Sequence, residues 1–494
     1  MTGLLDDTRA ALNRAIDVYR GTEDGERLRQ VRTRLDEPLR VAVAGRIKAG
    51  KSTLLNALVG ERLAPTDAGE CTRIVTWYAD GHTYRVEAEL TDGDTRQLSF
   101  TRDEGVIDID LGGLPQEKVN RLLVTWPSAR LRTATLIDTP GIGSLSESVA
   151  QRTWDLLSAS DSDAAADAPA DAVLYLLRHL HSHDLEFLRT FHDTEASQPN
   201  PVNAIGVLSR ADEIGVGKLD SMTSAGKIAA RMATDPVVRT VVQTVVPVAG
   251  LLAETAATLT EAEVARLRRV AELSVAEADA LLLTADRFVD RMPELGITST
   301  EREELLNRFG MFGIRLATSV LRHRVASTAT ELAAVLTERS GIGDLNHLLR
   351  SLFFDRRDVL KSRSALAALD ALTRAAPRPG SEAVAADVER IMASAHPFQE
   401  LRVLSAIRAG WVTGKSAVLD DLEHVIGGAG AAIRQRLRLT DDDGHDAQRA
   451  AAAAALERWQ RRAENPLTKH ELAVAARVAI RSCEGMLAEL RRAS

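Results

Sequence analysis

Leu39-Arg40-Val41-Ala42-Val43-Ala44-Gly45-Arg46-Ile47-Lys48-Ala49-Gly50-Lys51-Ser52-Thr53-Leu54-Leu55-Asn56-Ala57-Leu58 decides the fold of this chain. An apolar run of strand length enters a turn bounded by glycines, and Lys51–Leu63 reads as a helix. Residues 45–52 fit the pattern G-x-x-x-x-G-K-[ST]. That spacing has a specific chemistry. The glycines let backbone N–H groups of Arg46, Ile47, Lys48, Ala49 and Gly50 converge on phosphate oxygens. Lys51 reaches the β- and γ-phosphates, the Ser52 hydroxyl joins a Mg²⁺ shell, and Thr53 continues the cradle into the helix. Strand, glycine loop and helix in that order open a doubly wound α/β domain.

Further strands are expected at Ile74–Tyr78, Tyr84–Leu90, Arg121–Thr125, Ala134–Ile137, Ala172–Leu177, Val202–Leu208 and Thr244–Val248. Asp138-Thr139-Pro140-Gly141 ends one of them. A carboxylate there holds Mg²⁺ through water, and the Gly141 amide senses the γ-phosphate. Val207-Leu208-Ser209-Arg210-Ala211-Asp212 stands where a guanine-reading motif is expected. Asp212 would accept from the guanine ring N–H and amino group, with the Arg210 stem along the base. Ser209 and Arg210 depart from the usual Asn/Thr-Lys pair. Val246-Pro247-Val248-Ala249-Gly250 reads as the last strand, its small residues offering an N–H at Ala249 to the guanine oxygen. The stretch Ser158–Ala170 reads as a surface loop, and the histidines of His179–His183 as a polar strand exit rather than a metal site.

From about Thr255 onward the strand signal vanishes. Apolar residues recur at helical spacing at Leu281, Ala285, Phe288 and Met292, at Leu345, Leu348, Leu349 and Leu352, and from Leu472 to Leu490. Capping boxes are expected at Thr260, Thr300 and Thr468. Breaks fall at Pro293–Ser299, Gly341–Gly343, Pro377–Gly380, Gly427–Gly430 and Thr440–Gly444, giving about seven antiparallel helices. The division is therefore an N-terminal helix over 1–38, an α/β nucleotide domain over 39–255, and an all-α neck and stalk over 256–494. The N-terminal helix, the Thr260–Met292 helix and the C-terminal Leu467–Arg491 helix are expected to meet as the neck, with Pro293–Ser299 and Gly310/Gly313 as hinges.

Bulk properties narrow the class. The 494 residues exceed what one core needs, and 45 % are apolar against 4 % aromatic. A net charge of −8 argues against a general nucleic-acid coater. Any contact with an anionic lipid must use a local basic patch. Two cysteines, Cys71 and Cys483, show no metal or disulfide spacing, which suits a reduced compartment. With neither a signal peptide nor a membrane-spanning stretch in view, the expectation is a cytoplasmic chain bound peripherally at the inner face of the plasma membrane.

Residues 46–58 resemble the P-loop region of bacterial dynamin-like proteins, and Pro65…Cys71-Thr72-Arg73 resembles the dynamin switch I. Phe309-Gly310-Met311-Phe312-Gly313 and Leu360-Lys361-Ser362-Arg363 are similar to the mycobacterial isoniazid-inducible branch of that family. The resemblance implies a large GTPase that uses GTP and Mg²⁺, self-associates or pairs with a second dynamin-like protein, and reshapes membranes, by fission rather than fusion. It also implies that Thr72 binds Mg²⁺ and orients the attacking water. Dynamins carry Gln-Ser where this chain has Ile47-Lys48, so Lys48 is a candidate to supply positive charge at the β–γ bridge in place of an arginine finger. For lipid contact, two stretches stand out. One is Leu372 with Arg374 and Arg378, beside Pro377–Gly380. The other is Val425–Ile433 with Arg434, Arg436 and Arg438. Two rival readings are an ATPase motor, admitted by Ser209-Arg210, and a non-membrane switch whose helical half docks a protein partner.

Overall fold

A computed structural model describes residues 3–65, 74–103, 106–140, 170–178 and 203–492. Thr72, Gly141, residues 158–169 of the expected surface loop, His179–His183 and the switch I resemblance around Cys71 lie outside the described residues.

The N-terminal segment is two helices rather than one. α1 (Leu4–Val18) and α2 (Glu23–Arg34) are separated by a tight turn in which Gly21 has φ 77° and Thr22 caps α2. The nucleotide domain follows with β1 (Leu39–Gly45), α3 (Lys51–Val59), β2 (Thr76–Asp80), β3 (Arg85–Leu90), β4 (Thr95–Asp103), β5 (Val106–Asp110), β6 (Val119–Trp126), β7 (Ala134–Asp138), β8 (Ala172–Leu177), β9 (Ala204–Ser209), α4 (Ser221–Thr234) and β10 (Val245–Val248). The strands form one sheet in the order β10-β9-β8-β1-β7-β2-β6-β3-β4-β5. The strands β10, β9, β8, β1 and β7 run parallel, each to the next, and β1 and β8 are buried along almost their whole length, as a sheet covered on both faces requires. The β3–β6, β3–β4 and β4–β5 pairings are antiparallel and widen the sheet beyond the doubly wound part.

Register places the chemistry. Val43 pairs with Asp138, Gly45 with Leu176, and Val248 with Ser209. The phosphate loop, Asp138 and the Ser209 motif therefore emerge at one carboxyl edge, where open α/β sheets bind ligands.

The helical half is α5 (Gly250–Ala257), α6 (Glu261–Glu272), α7 (Val275–Leu281), α8 (Ala285–Asp290), α9 (Ser299–Arg322), α10 (Ala329–Arg339), α11 (Ile342–Leu348), α12 (Arg357–Ala375), α13 (Ser381–Ser394), α14 (His396–Arg408), α15 (Ser416–Val425), α16 (Ile433–Arg436), α17 (His445–Glu464) and α18 (His470–Arg492). This is more and shorter helices than periodicity suggests. The expected Thr260–Met292 helix is cut twice, because Ser274 and Thr284 cap new starts. The capping box at Thr260 is present, whereas the one expected at Thr300 is formed by Thr298 with Glu301. Thr468 caps nothing, its hydroxyl donating back to the Arg462 carbonyl.

Two separate cores hold these helices. Leu267, Phe288, Leu305, Phe309, Ile314 and Leu332 centre the first, which Ala249 and Leu252 tie to the nucleotide domain. The second gathers α1 and α2 with α12–α18 around Leu12, Tyr19, Leu369, Leu404, Leu422 and Cys483. The expected neck is thus corrected: the N- and C-terminal helices share a core, but residues 260–292 belong to the other one. Leu345, Leu349 and Leu352 join neither and pack into the sheet core with α3.

One buried ion pair crosses from bundle to sheet. Lys361 on α12 lies 3.0 Å from Asp171 at the start of β8, both almost fully buried, and Asp171 also accepts from the Arg40 backbone N–H at 2.9 Å. Burial pushes the Lys361 ammonium below its ordinary range, and the Asp171 charge opposes that shift. Such a pair adds little net stability but penalises any other docking of α12 on the sheet.

Candidate nucleotide site

The phosphate loop is shaped by positions where side chains are excluded or strained. A Cβ on Gly45, at φ 149°, would stand 2.8 Å from the Leu176 carbonyl oxygen. Lys48 is left-handed at φ 61° and exposed, and Gly50 at φ 91° caps α3. Arg46 and Ile47 are also exposed, Ile47 at 49 %, while Ala49 is buried. This backbone leaves the first turn of α3 open to an anion.

Lys51 and Asp138 face each other across that loop. Burial lowers the lysine's proton affinity and raises the carboxylate's, and the charge of each partly offsets the shift of the other. Lys51 Nζ reaches the Arg46 carbonyl at only 3.4 Å. The Ser52 hydroxyl donates to Asp138 Oδ2 at 2.7 Å, whereas the buried Asp138 Oδ1 has no hydrogen-bond partner. An orphaned carboxylate oxygen beside a serine hydroxyl is the hard oxygen donor set that Mg²⁺ prefers, so these residues fit the ion. Thr139 is turned away, its hydroxyl donating to the Val43 carbonyl at 3.0 Å.

An open cleft adjoins the loop. Ala49, Gly50, Thr53 and Leu54 line one part, and Ser209, Arg210, Asp212 and Glu213 another. Asp212 lies in the short turn Ala211–Glu213, only 8 % exposed, and burial pushes its carboxyl up to about 6. Arg210 is left-handed at φ 51° and pairs with Glu213 at 2.7 Å, and Ser209 donates to the Leu177 carbonyl at 3.3 Å. The expectation for Ala249 is corrected. It is fully buried, and its N–H donates to the Ser340 carbonyl at 2.9 Å; Gly250 and Leu251 line the cleft instead.

Sequence reading overlooked supporting residues. Asn56 is buried on α3, accepts from the N–H groups of Leu63 and Ala64 and donates to the Ala64 carbonyl, fixing the chain as it leaves the helix. Glu254 on α5 is buried against Arg62 at 3.0 Å. Neither sits at a motif spacing, so only the fold brings them to the site.

The two membrane candidates differ in how far they are buried. Val425 and Ile426 are 1 % exposed in the bundle core, and Arg436 pairs with the buried Glu400 at 2.6 Å, whereas the side chains of Arg434 and Arg438 reach solvent beside Asp441 and Asp420. At the other candidate, the turn after α12 lies against the α1–α2 turn. Tyr19 Oη donates to the Ala376 carbonyl at 2.8 Å, and the Arg378 guanidinium stands 5.8 Å from the Tyr19 ring. Leu372 is partly buried, Arg374 pairs with Asp370 at 2.6 Å, and both arginines remain exposed alongside Arg20. Among the described residues, no helix is long and apolar enough to cross a membrane, and no three or more His, Cys, Asp or Glu side chains gather where they could hold a metal between them.

The Dynamin family profile matches residues 41–211. Isoniazid-induced protein IniC of Mycobacterium tuberculosis is 41 % identical over 491 residues, covering 98 % of each chain. Isoniazid-induced protein IniA of the same organism is 34 % identical over 144 residues, 28 % of this chain and 22 % of that one. The bacterial dynamin-like protein of Nostoc punctiforme is 35 % identical over 114 residues, 21 % and 16 % respectively. A solved structure of an oligomerised bacterial dynamin pair covers 98 % of this chain and 91 % of its own at 11 % identity and TM-score 0.34, too loose an overlap to argue from. The full-length match to IniC and the profile over the nucleotide domain lead to one statement: this chain belongs to the dynamin family, as a bacterial dynamin-like P-loop GTPase.

Proposed function

We propose that this chain hydrolyses GTP to GDP and phosphate and couples the cycle to peripheral binding and remodelling of an anionic membrane, with fission the expected outcome. One observation carries the reading: Lys51, Ser52 and a half-satisfied Asp138 adjoin a cleft that ends at a buried, acceptor-bearing Asp212. The phosphate loop amides and Lys51 hold the triphosphate; Ser52 and Asp138, with Thr72, hold Mg²⁺; Ser209, Arg210 and Asp212 read the base, and Gly141 senses the γ-phosphate. When bound, Mg²⁺ neutralises charge on the β- and γ-oxygens. Self-association, or pairing with a second dynamin-like protein, belongs to the same reading.

Lys48 is proposed as the positive charge at the β–γ bridge. Its left-handed, exposed backbone suits a side chain that acts on ligand rather than on the fold. Lys48→Ala should lower kcat for GTP about 100-fold with GDP affinity little changed. Unchanged kcat with unchanged binding would dismiss the role.

The lipid contact is assigned to Leu372, Arg374 and Arg378, where the two hairpin turns expose their arginines together. Arg374→Glu with Arg378→Glu should reduce co-sedimentation with anionic liposomes at least about tenfold and leave lipid-free GTP turnover intact. Full co-sedimentation of that variant would reject this tip as the contact.

A further inference from the structure

Helix α9 is broken where it meets the base-reading turn. Gly310 has φ 61° and ψ 171°, a conformation essentially reserved for glycine. A Cβ built there would lie 3.7 Å from Asp212 Oδ2 and 3.8 Å from Leu251 Cδ2. The break takes the Arg308 carbonyl out of the helical ladder, and it accepts instead from the Thr255 hydroxyl of α5. Leu251 and Gly250 of α5 line the cleft, so α9 touches both sides of the base site.

Beyond the break, Arg315 spends all five guanidinium N–H donors on main-chain carbonyls. Nη1 donates to Val216 at 2.8 Å and Gly217 at 2.6 Å, Nη2 to Leu282 at 2.8 Å and Leu283 at 3.1 Å, and Nε to Leu282 at 3.1 Å. One edge of the fork holds the loop that follows Asp212, and the other holds the end of α7. The loop it grips is strained. Gly215, Val216 and Gly217 are left-handed in succession, at φ 68°, 65° and 66°. A β-branched residue adopts such angles only where its surroundings impose them. The Val216 side chain is 81 % exposed, so its own packing does not hold it there.

We propose that Arg315 and the Gly310 break are positioning residues for base recognition: they lock the turn after Asp212 so that its carboxylate meets the purine edge. The proposal rests on the reading of Asp212 as the guanine acceptor. Ala211–Glu213 is a single short turn anchored by the buried Ala211, and the strained loop it feeds is the one that Arg315 holds. Released from Arg315, Val216 relaxes toward ordinary backbone angles and draws that turn with it. A helix of the first helical core is then part of the base site, and movement of that helix changes which base is held.

The test compares GDP, IDP and ADP binding to the full chain, because inosine lacks the 2-amino group that Asp212 would bind. Wild type should prefer GDP over IDP by about tenfold, one charged hydrogen bond. Arg315→Ala and Gly310→Ala should each bring that ratio below about threefold. They should leave ADP, held by its phosphates alone, within about twofold of wild type. Arg315→Lys, which keeps the charge but not the fork, should fall between. A folded Arg315→Ala or Arg315→Lys with the full wild-type ratio, or an equal loss for all three nucleotides, would overturn the positioning role. Wild type that fails to separate GDP from IDP and ADP would instead overturn the reading of Asp212 beneath it.

Discussion

Lys51→Ala should lower GTP turnover at least about 100-fold and weaken GTP and GDP binding together. The ammonium is half-buried beside Asp138 and bonds only weakly to the Arg46 carbonyl, so its charge is left for a ligand. Deleting it removes the positive partner of the β- and γ-phosphates and leaves the backbone cradle in place. The apo fold should not suffer. A lysine whose folded proton affinity is depressed by burial opposes folding wherever it is charged in the unfolded chain, and that penalty disappears with the side chain. Part of the gain is cancelled because Asp138 loses its neighbour and its own carboxyl rises further. Calorimetric titration with a thermal melt checks both halves. Normal GTP affinity in the variant would contradict the account of the loop.

The second large effect concerns Asp212. Guanine offers two donors on one edge, and an ionised carboxylate accepts both. Asp212→Asn keeps the size but turns one acceptor into a donor aimed at the guanine amino group. GDP affinity should fall about 100-fold, and xanthine nucleotides, which carry an oxygen there, should gain by a similar factor. Competition binding measures this, and an unchanged preference for guanine would remove Asp212 from the site. The same residue sets a pH dependence. Its carboxyl is pushed up to about 6 by burial, so the free protein holds a proton there below that pH. Guanine needs the ionised form, so affinity is full above about pH 6 and declines as pH falls through it. The ratio of GDP to ADP affinity, which cancels phosphate titration, should drop about tenfold per unit below pH 6.

The nucleotide half was legible because its signals are local. Short apolar runs bounded by turns marked β1, β7, β8 and β9 to within two residues, and the glycine and lysine spacing marked the loop. β4 escaped because Thr95–Asp103 carries only Leu98 and Phe100 as large apolar residues and is extended in pairing with β3; β5, Val106–Asp110, pairs in turn with β4. One of the two breaks in the Thr260–Met292 stretch was present in the sequence, since Ser274 with Glu277 is a capping box as clear as the one at Thr260.

What sequence did not reveal is partnership. Periodicity says that a helix has an apolar face and is silent on what covers it. It therefore joined 260–292 to the terminal helices, whereas Leu267 and Phe288 face Leu305 and Phe309. Ala249 looked free to meet a base until Ser340, far along the chain, took its N–H. Arg315 is one arginine among many in the sequence, and only three-dimensional convergence of Val216, Gly217, Leu282 and Leu283 gives it a role.

The most direct measurement is steady-state GTP hydrolysis by the purified chain with Mg²⁺, run beside ATP, with and without anionic liposomes. The account predicts turnover of GTP and not ATP, faster on liposomes, and lost in Lys51→Ala. Equal turnover of ATP, or indifference to guanine nucleotides at millimolar concentration, would contradict it.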